Sequence, residues 1–273
     1  MTMPVPAIDA GVLERGGVRL AISGPLATIT LDRPDVLNAQ TPATWQALRH
    51  IGEQLDPDVR VVVVRGSGRA FSAGLDRRMF TGEPVDGEPG GLGAMLSLPA
   101  AEADAKIASY QAAFTWLSDP ARVTIAAVQG HAIGAGFQLA LACDFRVLAE
   151  DAQFCMAETG LGLVPDLGGT LPLVRLVGYS RAAEMCVTSR RVPASEALQI
   201  GLANSVVPAS GLDKAVEDLV AAVLKPLPGA VTETLALIAA AATGPALDEQ
   251  LALERAAQLR RLSSLAAALS AQG

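Results

Sequence analysis

Two short apolar segments, residues 18–23 and 27–31, flank Gly24-Pro25 and predict a pair of strands joined by a tight turn. Thr41 followed by Pro42 supplies an N-cap and a proline at the first helical position, and residues 43–55 carry helical periodicity. Residues 59–65 (V-R-V-V-V-V-R) form a β-branched run, the pattern of a buried strand. Residues 123–128 and 145–149 read as two more strands. Strands alternating with helices predict an α/β architecture. Past Pro208 the pattern changes. Residues 212–224 and 246–269 are rich in Ala and Leu, with no strand signal between them. They predict a helical C-terminal region with structural or oligomeric duties. Residues 81–93 (T-G-E-P-V-D-G-E-P-G-G-L-G) predict a mobile loop. Residues 1–17, interrupted by Pro and Gly, predict a flexible N-terminus without the continuous apolar segment of a leader.

Composition narrows the class. A chain of 273 residues can bury a substantial core plus a smaller appendage. The net charge is −7, basic residues are scattered, and aromatics make up only 4%. A nucleic-acid surface needs clustered Lys and Arg with stacking aromatics, so none is expected. Mean hydropathy is high at +0.36, yet the longest apolar run near the C-terminus, residues 235–242, falls far short of the roughly 18–20 residues a membrane span needs. The excess apolar surface is therefore assigned to subunit contacts. Cys143, Cys155 and Cys186 lie in apolar surroundings and, with only His50 and His131, give no metal-ligand spacing. They read as reduced core thiols of a cytoplasmic protein.

The chemistry concentrates in residues 154–169, F-C-M-A-E-T-G-L-G-L-V-P-D-L-G-G. Glu158 and Asp166 stand eight residues apart in a run otherwise apolar or glycine, with no Lys or Arg among them. Carboxylates avoid such settings, because an unpaired buried charge is strongly disfavoured. An apolar environment raises a carboxyl pKa toward neutrality, where the group can both take and return a proton. A turn in which Asp166 merely caps the following helix is the competing reading.

Two glycine-bearing turns add to the acids. Residues 66–76 (G-S-G-R-A-F-S-A-G-L-D) follow one predicted strand, and residues 130–139 (G-H-A-I-G-A-G-F-Q-L) follow another and run into a helix. Each junction leaves backbone N–H groups free, and two converging on one carbonyl would form an oxyanion hole. Neither turn is a phosphate-binding loop, since there is no Gly-Lys-Ser/Thr ending and no G-x-G-x-x-G spacing. His131 reads as a filler of its turn.

These residues, together with Leu31-Asp32-Arg33-Pro34, Leu37-Asn38-Ala39, Ala194-Ser195-Glu196-Ala197, Gly201-Leu202 and Val206-Val207-Pro208, resemble the crotonase superfamily, the enoyl-CoA hydratase/isomerase family. The resemblance runs in order from about residue 18 to 225. It implies an α/β fold: a spiral core of ββα repeats over 18–208 and a helical trimerisation region over 209–273, assembled as a homotrimer or a dimer of trimers. The implied substrate is an acyl thioester of coenzyme A, with no further cofactor and no metal. By the same resemblance the Leu75 and Ala135 N–H groups make the oxyanion hole. Val36, Ala39, Ala73, Gly74, Asp76 and Gly134 line the substrate path.

One position departs from the family's hydratases, which use two glutamates to activate water. The second aligns with Glu158, but the first aligns with Gln138, and an amide cannot take a proton from water at neutral pH. The run around Asp166 resembles family isomerases, and dienoyl-CoA isomerases pair an acid there with one at Glu158. The expected activity is a double-bond shift in an unsaturated acyl-CoA, with Asp166 removing a proton, Glu158 returning one and Gln138 orienting a group or water. Hydration relying on Glu158 alone, another crotonase chemistry on an aromatic or cyclic acyl-CoA, and a non-catalytic acyl-CoA binder are the alternatives.

Overall fold

A computed structural model describes residues 8–81, 83–85 and 91–270. Its frame is a six-stranded sheet in the order β1 (Val18–Ser23), β2 (Leu26–Leu31), β3 (Val61–Gly66), β4 (Val123–Val128), β6 (Phe145–Ala149) and β9 (Ser205–Val207). The β1–β2 hairpin is antiparallel and every later pairing is parallel. A second, three-stranded sheet joins β5 (His131–Ile133), β7 (Gln153–Cys155) and β8 (Val192–Pro193). The chain passes from β4 through β5 into helix Ala135–Leu141, then through β6 and β7. This is the expected repetition of two strands and a helix.

The β-branched run at 61–64 is buried on both faces, as its pattern predicts. One face of the large sheet packs Ile29, Val62, Val64 and Ala126 against Leu48, Ile51, Phe114 and Phe137. The other presents Val61, Val63, Val123, Ile125 and Val147 to Leu212, Val216 and Val220. Those three stand four apart on helix Leu212–Leu224, on one face of its turns. Each such burial contributes about 1.5–3 kcal/mol. Thr41 caps helix Pro42–Gln54 in a reciprocal box with Thr44.

Three expectations are modified. Residues 10–15 form a helix capped by Asp9 and packed on helix Pro42–Gln54, so that part of the N-terminus is ordered. The His50 ring accepts the Asp9 N–H at 2.9 Å and pins it there. The loop expected over 81–93 lies partly outside the described residues, and its final residues enter helix Gly91–Leu96. Between the two anticipated C-terminal helices stands a third, Pro228–Ala241, beside Leu247–Ser270. Among the described residues no single helix is long and apolar enough to cross a membrane.

Candidate active site

The end of β3 and the end of β4 are where the two glycine turns meet. After Gly66 the chain folds around the Asn38 side chain, which donates to the Ser67 and Ala70 carbonyls and accepts the Arg33 N–H. Ser72 then pairs with β5, its N–H on His131 O and its carbonyl on Ile133 N. Gly74 has φ +87°, and a methyl group added there would lie 2.4 Å from Ile133 O and 3.6 Å from Ala135 N. Only glycine lets the turns approach this closely. Among the described residues, neither the Leu75 nor the Ala135 N–H donates to a protein acceptor. The Ala135 group is the first of its helix, where no intrahelical partner exists. Two unpaired donors flanking Gly74 can hold one oxygen on which negative charge develops.

The carboxyls come together around Gln138. This side chain is 1% exposed, and its Nε2 donates to Glu158 Oε1 at 2.7 Å. Its own oxygen accepts the Leu167 and Gly169 N–H groups at 2.9 and 3.2 Å. Gln138 thus clamps the 158 segment to the loop carrying Asp166. Gly134, one helical turn earlier, sits against Glu158, since a methyl there would be 3.2 Å from Oε1. Glu158 is 8% exposed, and its Oε2 is buried without a hydrogen-bond partner among the described residues. Burial pushes the Glu158 carboxyl above the ordinary range, and the charge of Asp166 adds to the rise. Asp166, half-buried, is raised by burial as well. Its backbone carbonyl is fixed by Gln111 Nε2 at 2.7 Å. Two neighbouring carboxyls held above their usual pKa can move a proton between positions of a bound molecule.

The remaining expected residues divide. Ala73 and Gly74 lie on the same turn as Leu75, and Ala73 N–H bonds Leu37 O, which draws the Val36–Ala39 turn alongside. Val36 is exposed and Ala39 buried. Asp76 is different. Its carboxylate accepts from Arg33 and twice from Arg78 at 2.9–3.1 Å, and those guanidinium groups hold its pKa at about 2. What Asp76 offers is the orientation of two arginines, which sequence reasoning passed over. Arg33 also reaches Ala39 O at 2.6 Å, tying both turns together. The Arg33-Asp76 pairing spans 43 residues and leaves no local sequence signal. Gln111 was missed for the same reason.

Comparison with known proteins meets the geometry. The family model described as Enoyl-CoA hydratase/isomerase matches residues 21–267. A Thermobifida fusca YX protein bearing a provisional enoyl-CoA hydratase name, solved in complex with acetoacetyl-CoA, is 49% identical with a TM-score of 0.90, over 94% of this chain and 99% of that one. Solved in complex with CoA, it superposes with a TM-score of 0.88 at 48% identity, over 96% and 98% of the two chains. Carnitinyl-CoA dehydratase of Salmonella typhi is 37% identical over 221 residues, 78% of this chain and 77% of its own length. The chain has the crotonase fold and belongs to the enoyl-CoA hydratase/isomerase family.

Proposed function

We propose that this enzyme shifts a double bond in an unsaturated acyl-CoA. The observation that carries the reading is the allocation of polar atoms around Gln138. Its carbonyl oxygen is occupied by two backbone N–H groups and one of its amide N–H groups by Glu158, so the side chain has no acceptor left to take a proton from water. Two carboxyls remain for proton transfer, one of them with a buried, unpartnered oxygen. Complexes of the Thermobifida relative with CoA and acetoacetyl-CoA support a CoA thioester as substrate.

In this reading the thioester oxygen sits between the Leu75 and Ala135 N–H groups. Asp166, ionised, removes a proton from the acyl chain. The electron pair moves into the conjugated system and onto the thioester oxygen, where the two donors hold the enolate. Glu158, protonated, delivers its proton to the carbon at the other end, and the double bond re-forms one position along. Asp166 ends protonated and Glu158 ionised, and exchange through solvent resets the pair. A shared apolar pocket keeps one acid ionised and one protonated. Arg33 and Arg78, oriented by Asp76, face the turn along which the thioester approaches.

Hydration or dehydration is the second reading, favoured by the names of the relatives. It would have Glu158 act on water alone. NMR of the protein with a 3-enoyl-CoA and with a 2-enoyl-CoA, each in deuterated buffer, separates the two. The expected result is migration of the double bond with deuterium entering the chain, reduced about 10²–10⁴-fold in Asp166→Asn with CoA-ester binding retained. Formation of 3-hydroxyacyl-CoA as the main product would replace the isomerase reading by the hydratase one. Binding without any exchange would leave an acyl-CoA binder.

A further inference from the structure

Glu158 opens a single 3-10 turn, Glu158–Leu161, and that turn is fastened to the end of a helix far along the chain. Thr159 Oγ1 donates to the Cys186 carbonyl at 2.5 Å and lies 2.8 Å from Ser189 Oγ. Since the Thr159 proton is committed to Cys186, the Ser189 hydroxyl donates to Thr159. Ser189 Oγ in turn accepts the Gly160 N–H at 3.2 Å, and its backbone carbonyl accepts the Cys155 thiol at 3.1 Å. One residue thereby holds positions 155, 159 and 160, on both sides of Glu158.

The backbone of Ser189 gives a second, independent observation. It sits at φ +50°, ψ +29°, as the C-cap of helix Tyr179–Thr188. A left-handed C-cap is where glycine is unstrained and a residue with a Cβ is strained. The sequence carries a serine at a place where stability alone favours glycine. Stored strain of this kind marks function when the surroundings over-determine it.

We propose that Ser189 and Thr159 are positioning residues that latch the Glu158 turn, holding its free carboxyl oxygen toward the thioester site. The inference rests on Glu158 acting as an acid or base, and holds for double-bond migration and hydration alike. Without the latch the Glu158 turn is tied on its inner side by Gln138 and loses its outer fastening. The carboxyl then samples more water and more orientations, so the chemical step slows while the CoA ester, bound elsewhere, is held as before.

The test is Ser189→Gly, which removes the hydroxyl and relieves the strain together. The expected outcome is a melting temperature equal to or above wild type, a kcat about tenfold lower and KM within twofold. Thr159→Val, which loses the hydroxyl and relieves no strain, should lower kcat alike without the gain in melting temperature, and Thr159→Ser should restore the rate. A readout free of any turnover is the Glu158 carboxyl titration by carbon-13 NMR, assigned by its loss in Glu158→Gln. The groups facing that carboxyl are Asp166, Cys155, Cys186 and the Gln138 amide. In Ser189→Gly its midpoint should fall toward the ordinary carboxylate range as water enters. An unchanged midpoint together with an unchanged kcat overturns the latch. A moved midpoint in a protein that turns over neither enoyl-CoA keeps the latch and condemns the reaction assignment instead.

Discussion

Gln138 shows how one atom changes the chemistry a residue can do. Its Nε2 faces Glu158 Oε1, and its oxygen faces two backbone N–H groups. An amide satisfies both sides at once, with a donor for the carboxylate and an acceptor for the loop. A glutamate would keep the acceptor side and set two carboxyls 2.7 Å apart on the other, where both cannot be ionised. Gln138→Glu should therefore share the Glu158 proton between the two carboxyls and raise the Glu158 carboxyl further. Because a second carboxyl would now face the first, 3-hydroxyacyl-CoA should appear from 2-enoyl-CoA at the expense of double-bond migration. Product ratios by NMR in the same deuterated assay decide it, and an unchanged ratio would show that residue 138 does not select the reaction. Glu158 and Asp166 were legible as candidates because carboxylates stand out in an apolar run. That Gln138 fastens the segments carrying them was not legible, since its partners lie 20 to 31 residues away. Ser189 was less visible still, because strain at a left-handed φ leaves no mark on composition.

At the scale of elements, the strands with β-branched runs were readable because burial on both faces imposes a continuous apolar sequence. The three-residue strands His131–Ile133 and Gln153–Cys155 were not. They are too short to show a period and exist because the turns around them are drawn together. Helix Ala100–Thr115 was also overlooked, its alanine-rich face giving little contrast between core and solvent. The turns at 36–39 and 66–78 hold their shape through Asp76 and its two arginines, and here pH gives a test. The Asp76 pKa falls from 3.8 to about 2 on folding, so the clamp stabilises the fold above about pH 3.8. That contribution fades as pH drops through about 2. With Arg78 42% exposed beside it, solvent screening limits the clamp to roughly 1–2 kcal/mol. Asp76→Asn should lower unfolding free energy in urea by that amount at pH 7, and by clearly less at pH 3. A deficit that stays constant across this range would mean that shape, not charge, makes the clamp.

The whole molecule leaves one long surface unexplained by its own fold. Helix Leu247–Ser270 runs for 24 residues and buries only Ala257 among those described. Its inner side is tied to helix Pro228–Ala241 by paired hydrogen bonds from Arg260 to Glu233, both 2.7 Å, and by Gln250 Nε2 on Leu237 O. On a different side lie Leu247, Leu251, Leu262, Leu265 and Leu269, all exposed. At 100° per residue their directions fall within about 60° of one another, a leucine stripe in two groups, 247/251 and 262/265/269, parted on that side by Glu254 and Gln258. Exposed leucines grouped on one side of a helix in this way mark an interaction surface. We infer that the stripe is covered by another copy of the chain, in a homotrimer or a dimer of trimers. Sedimentation velocity at micromolar concentration should give a mass near three or six times 28.0 kDa. Paired charges in Leu262→Asp/Leu265→Asp should reduce it to a single copy, because an interface cannot desolvate two unpaired carboxylates. The catalytic fold rests on its own two cores, on either face of the large sheet, so the variant should remain folded by circular dichroism. A wild-type chain that sediments as a monomer would remove the inference, and a variant that still assembles would move the interface off this helix.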